Sequence, residues 1–139
     1  MIPDLQAAAE LIVSSPLRRT LQTTALGWAP AVARLGGPRR VVVLPQAQEC
    51  SALPCDTGSS REQLEADPEF AVFDLAGLPA DWNSKEGFWA PTEEALDARA
   101  AWVRRYLRGR PEGDVVLVAH GDFLRRITAR PETGVGECM

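Results

Sequence analysis

A chain of 139 residues and 15.1 kDa has room for one domain and little more. With 45% hydrophobic and 24% charged residues it has the composition of an ordinary globular protein, which excludes a wholly disordered chain. A net charge of −4 argues against nucleic-acid binding through bulk charge, and no apolar run approaches the roughly 18 residues that span a bilayer.

Residues 10–14 read as a short buried strand. Ser15-Pro16 follows, with serine suited to cap a helix and proline suited to its first position. Leu17, Leu21, Thr24 and Trp28 then recur on one helical face, which Pro30 bends or ends. After the break at Gly36-Gly37-Pro38, residues 40–44 predict a second strand, stopped by Pro45. Residues 45–92 are interrupted repeatedly by proline and glycine but carry Phe73, Trp82 and Trp89. Those large apolar groups predict an ordered excursion rather than a linker, with a short helix at 60–66 capped by Ser59 or Ser60. Thr92 opens the cleanest helix, with Leu96, Ala100, Val103 and Leu107 as its stripe and arginines at its C-terminal end. Residues 114–119 are apolar on both faces, as in a central parallel strand, and 122–128 predict a last helix. This order predicts an α/β fold with a mostly parallel sheet between helices.

Ligands of such sheets bind beyond the carboxyl ends of the strands. Two ends here carry polar residues and feed helices directly, Ser14-Ser15-Pro16-Leu17-Arg18-Arg19 and Ala119-His120-Gly121-Asp122. Helix N-termini offer unpaired N–H groups, Arg19 a planar cation, and Gly121 a close backbone approach. Together they predict an anion site, with phosphate the natural ligand. Lys85 is the only lysine among 15 basic residues, the other 14 being arginines. Cys50, Cys55 and Cys138 are an odd set that reads as free thiols of a reducing compartment, and the start of the sequence shows no secretory leader. A cytoplasmic protein is therefore expected.

The segment Leu11-Ile12-Val13-Ser14-Ser15-Pro16-Leu17-Arg18-Arg19-Thr20-Leu21-Gln22-Thr23-Thr24 resembles a signature of the histidine phosphatase superfamily, the phosphoglycerate-mutase-like proteins. Val116 to Leu124 resembles its late V-x-H-G signature, and Gln48-Glu49 its acid-bearing position. Cys55-Asp56-Thr57-Gly58-Ser59 and Trp82-Asn83-Ser84-Lys85 look like a branch of these proteins common in fungi. The resemblance implies a three-layer α/β sandwich that hydrolyses phosphate monoesters, with mutase activity the lesser expectation. It implies that Arg19 and His120 hold the phosphoryl group with Gly121 beside them. Glu49, or Asp56 in its place, gives a proton to the leaving alkoxide, and Arg18 faces solvent. It implies no metal and no other cofactor, because arginine and histidine neutralise the charge, and its partner is a small phosphorylated substrate or phosphate.

One part of the pattern is missing. The superfamily's nucleophile is a histidine in an R-H-G triplet that precedes everything seen here, and His120 is the only histidine in this sequence. Residues 1–139 are therefore expected to be a single histidine-phosphatase-like domain, incomplete at its N-terminus, with the excursion at about 45–92 as an insertion. Residues 4–10 would be the end of the helix after the triplet. Such a chain is expected to be inactive by the family's covalent route, and its exposed strand edges to favour association. The alternative is a pseudoenzyme, a relative that binds phosphoesters or proteins without turnover. A separate reading comes from Cys55 to Arg61, which fits the C-x5-R loop of cysteine-dependent phosphatases.

Overall fold

The computed structural model describes residues 3–128. Its sheet has three parallel strands, β1 (Leu11–Ser14), β2 (Val42–Val43) and β3 (Val115–Val118), in the order β2-β1-β3. β1 is wholly buried and central; Leu11 to Ser14 pair in register with Val115 to Val118, and Val13 and Ser14 with Val42 and Val43. Among the described residues β3 pairs on one side only, and Val115 to Leu117 are half-buried.

Alternation along β1 sends its side chains into two cores. Leu11 and Val13 meet Ala100 and Val103 of α5 (Glu93–Arg108) and Phe123 and Ile127 of α6 (Gly121–Thr128). Ile12 faces the other way, with Leu17, Leu21 of α2 (Arg18–Gly27) and Val32 of α3 (Ala29–Arg34). Helices therefore cover both faces of the sheet, which makes the fold three-layered α/β. α1 (Pro3–Ala8) docks on α3, where Gln6 Nε2 donates to the Gly27 carbonyl at 2.7 Å and Gln6 Oε1 accepts from the Ala31 amide at 3.0 Å.

The excursion is built on the second core. Phe70, Phe73, Leu75, Leu78, Trp82 and Trp89 are all buried there together with Trp28. Its helix α4 (Arg61–Glu65) opens with a reciprocal capping box between Ser60 and Gln63. Arg18 does not simply face solvent. Its guanidinium bonds Asp67 at 2.8 Å and Ser59 Oγ at 3.0 Å and lies 5.0 Å over the Phe70 ring, tying α2 to the excursion.

Three local expectations are corrected. The second strand is only two residues long, because Pro38–Arg40 form a 3-10 turn that takes Arg40 out of the extended run. α2 begins at Arg18 after Leu17 rather than at Pro16, since Ser15 is still extended chain bonded to Val118. Pro30 lies within the first turn of α3, so the break between the two helices falls at Trp28. Trp102, half-buried, stacks on Tyr106 at 5.5 Å.

Candidate functional site

Because β1 and β3 are parallel neighbours, their carboxyl ends lie side by side. The Ser15 amide donates to the Val118 carbonyl at 2.9 Å, which extends the ladder one residue past the strand. His120 Nε2 then lies 2.8 Å from Ser15 Oγ, and both residues are buried. Ser15 Oγ also accepts from the Leu17 amide at 3.3 Å, so it shapes the turn into α2 instead of capping the helix.

Burial, followed by the charges of Arg19, Lys85 and Arg99, pushes the His120 imidazole down to about 4, with Asp56 opposing them. At neutral pH the ring is uncharged, with one N–H donor and one acceptor nitrogen. Gly121 opens α6 and is exposed, so the free amides of that helix begin next to the ring.

Arg19 stands in the first turn of α2. Its guanidinium donates to the Cys55 carbonyl and, at 3.2 Å, to Asp56 Oδ1. Ser51 Oγ donates to the other Asp56 oxygen at 2.6 Å. Burial pushes the Asp56 carboxyl up, but the hydrogen bonds from Ser51 and Arg19 and the Arg19 charge outweigh it and hold it below the usual carboxylate range. A carboxyl kept ionised in this way is poorly suited to donate a proton. That removes the physical ground for Asp56 as the acid.

Glu49 is buried, and its Oε1 accepts from the following amide, that of Cys50, at 2.9 Å. Its backbone carbonyl accepts from Lys85 Nζ at 3.0 Å and from Arg99 Nη2 at 3.3 Å. Arg99 is fully buried on α5; its Nη1 also donates to the carbonyls of Gln46 at 2.9 Å and Gln48 at 2.6 Å, and it lies 4.2 Å over the Phe123 ring. The structure therefore makes two bonded pairs, Ser15–His120 and Arg19–Asp56, coupled through the charges of Arg19 and Asp56 on the His120 ring, and ties the Glu49 backbone to Lys85 and Arg99. A cavity of about 390 Å³ adjoins this cluster, lined by Cys50 and Ser51 from one side and Asp122 and Arg126 from the other.

Neither Lys85 nor Arg99 was singled out for the site from the sequence. Arg99 did leave a signal, a charge at the i+3 position of the stripe that runs through Leu96, Ala100 and Val103. The cysteine-phosphatase reading does not survive. Cys55 sits in a 3-10 turn (Pro54–Asp56) that no strand feeds, and the Arg61 guanidinium is engaged by Glu65 at 3.2 Å and the Ala76 carbonyl at 3.3 Å. Among the described residues no group of three His, Cys, Asp or Glu side chains could hold a metal ion.

The sequence pattern of the histidine phosphatase superfamily (branch 1) matches residues 4–134. The chain belongs to the histidine phosphatase superfamily. It is also similar to a protein of Schizosaccharomyces pombe named a probable phosphatase, at 28% identity over 118 residues, or 84% of this chain. The chain spans 53% of that relative's length. No solved structure matches it. A parallel sheet with helices on both faces is the frame expected of a member of this superfamily. Among the described residues no helix is long and apolar enough to cross a membrane.

Proposed function

We propose that this chain binds small phosphate monoesters between Arg19 and His120 and supplies the charge-neutralising part of a phosphomonoesterase site. The observation that carries this is the Ser15–His120 hydrogen bond, which draws the ends of β1 and β3 together with Arg19 one helical turn away. Phosphoryl transfer is mostly positioning and neutralisation of spread charge, and these groups do both. Arg19 offers a planar fork for two oxygens. The His120 ring, uncharged by itself, takes up a proton when a dianion replaces the cations as its main neighbour, which couples binding to protonation. Gly121 lets the α6 amides approach the same oxygens. Glu49 is the donor to the leaving alkoxide. The neutralisation comes from arginine and histidine, so neither a metal nor another cofactor enters the proposal. The single domain works in a reducing, cytoplasmic compartment.

A second reading has its own observation. The only histidine in the sequence is His120, which the proposed site uses to hold the phosphoryl group, so no second histidine is left to attack it. The 139 residues by themselves thus bind phosphoesters without turnover, and hydrolysis requires an attacking group from outside them.

Calorimetric titration with orthophosphate, together with a p-nitrophenyl phosphate assay, tests both. Arg19→Ala and His120→Ala should each weaken phosphate binding by about tenfold or more, the loss expected for a charge-assisted hydrogen bond. Cys55→Ser should leave it unchanged. Unchanged affinity in both site variants would overturn the site. Turnover by the 139-residue chain that His120→Ala abolishes would overturn the binding-only reading.

A further inference from the structure

Every basic position in the chain except one is arginine, and the exception, Lys85, lies beside the site. Its backbone is in the left-handed region at φ 59°, the only positive φ at a non-glycine residue among the described positions. Such a conformation costs roughly 1 kcal/mol in an L-residue and persists where the surroundings over-determine it. Those surroundings are Trp82, fully buried, and Trp89, also buried, on either side along the chain. Gln48 Nε2 donates to the Trp82 carbonyl at 2.6 Å, and Asn83 Nδ2 to the Gly58 carbonyl at 2.9 Å. The strained residue is thus locked in place and its side chain delivered to the Glu49 carbonyl at 3.0 Å.

An ammonium has three donors and strong hydration to replace. Among the described residues Lys85 Nζ has one acceptor, an uncharged carbonyl that it shares with Arg99. The charged and titratable groups that act on it are Arg99 from α5, Asp56 from the excursion's 3-10 turn, and Cys50 and Glu49 from the loop after β2. At the end of β3 its charge is felt by His120. Of the anions, Asp56 already serves Arg19 and Ser51. Half-burial, then the Arg99 charge, bring the Lys85 ammonium down to about 8. The site thus holds an under-compensated cation with two donors to spare, within electrostatic reach of the ring expected to touch phosphate.

Resting on the phosphate-site reading above, we propose that Lys85 is the third cation of the anion site, its ammonium donating to a phosphoryl oxygen held between Arg19 and His120, and that its deprotonation weakens binding. Lysine here is not interchangeable with the other fourteen basic residues, because a guanidinium does not titrate in this range.

The test is calorimetric titration of the purified protein with sulfate, a tetrahedral dianion whose own charge does not change, from about pH 7 to about pH 9.5. Wild-type affinity should fall about tenfold across that interval. Lys85→Gln should bind about tenfold more weakly at the lower pH and lose the part of the fall centred near 8, keeping only the shallower decline that proton uptake by His120 contributes. Lys85→Arg should keep binding and likewise lose the step near 8. As a check independent of any variant, isotope-labelled lysine gives one side-chain signal, which should titrate near 8 and move upward when sulfate is added. If Arg19→Ala weakens sulfate binding but Lys85→Gln does not, and the labelled lysine ignores sulfate, the Lys85 role is wrong and the site stands. If Arg19→Ala also binds like wild type, the site itself is wrong and this role goes with it.

Discussion

His120 Nε2 and Ser15 Oγ, 105 residues apart in sequence, share a buried hydrogen bond of 2.8 Å. The bond does for two strand ends what the β1–β3 ladder does for the strands. It also fixes an imidazole where water cannot solvate its charged form, and that has a consequence for stability.

The free imidazole titrates near 6.5, and folded His120 near 4. Between these values the unfolded chain binds a proton that the folded chain refuses, so stability falls as pH drops through that window. The loss from this group alone is about 3 kcal/mol. Urea unfolding measured from about pH 7 to about pH 4 should show a steeper loss in wild type than in His120→Gln. Equal slopes would mean that the ring is not held neutral.

Gly58 is close enough to Trp82 that an added Cβ would meet the indole Cη2 at 1.9 Å. The indole is fully buried and its carbonyl is held by Gln48, so it has no room to retreat. Gly58→Ala should therefore cost about 1–3 kcal/mol by overpacking and shift the tryptophan fluorescence. Since Asn83 and Lys85 hang from the same segment, Gly58→Ala should also weaken phosphate binding without touching Arg19 or His120. A fully stable variant with native emission would show that the excursion packs differently.

Burial, then Glu49, push the Cys50 thiol up to about 11, whereas Cys55 is exposed. Thiolate is the reactive form, so iodoacetamide near neutral pH should label Cys55 well before Cys50, as peptide mass mapping would read. Labelling Cys55 should leave phosphate binding intact. Labelling Cys50, which borders the cavity beside Ser51, should interfere with it. The reverse order of labelling would contradict the burial described here.

The parts of the fold legible in the sequence are those written by local rules. The helical stripe of α2, the Thr92 cap of α5, whose hydroxyl accepts from the Ala95 amide at 3.2 Å, and the Ser60 box are each set by residues within a few positions. Arg19, His120 and Gly121 stood out because strand ends that feed helices are recognisable one at a time. The strand order is not legible in the sequence, since β1 and β3 are equally apolar and only pairing distinguishes them. Lys85 and Arg99 were illegible as site residues for a related reason. Both act on the Glu49 carbonyl across 36 and 50 residues, and the intervening excursion follows no period that reveals where it returns.

Arg99 offers the sharpest test of how the Glu49 loop is held. Its guanidinium satisfies three carbonyls, those of Gln46, Gln48 and Glu49, while its Nε has no partner among the described residues. Burial lowers it to about 10, so the arginine is held at a cost that the loop's carbonyls offset. Arg99→Met removes the charge and takes the guanidinium from the Gln46 and Gln48 carbonyls in a dry setting, each worth about 1–3 kcal/mol when left unpaired, while the Glu49 carbonyl keeps Lys85. The summed loss should exceed about 3 kcal/mol in urea unfolding, against about 0.5 kcal/mol or less for Arg105→Met on the exposed side of the same helix. Arg99→Lys should recover less than half, because one ammonium cannot span three carbonyls and stack on Phe123 as a planar fork does. In that variant phosphate binding through Arg19 should persist.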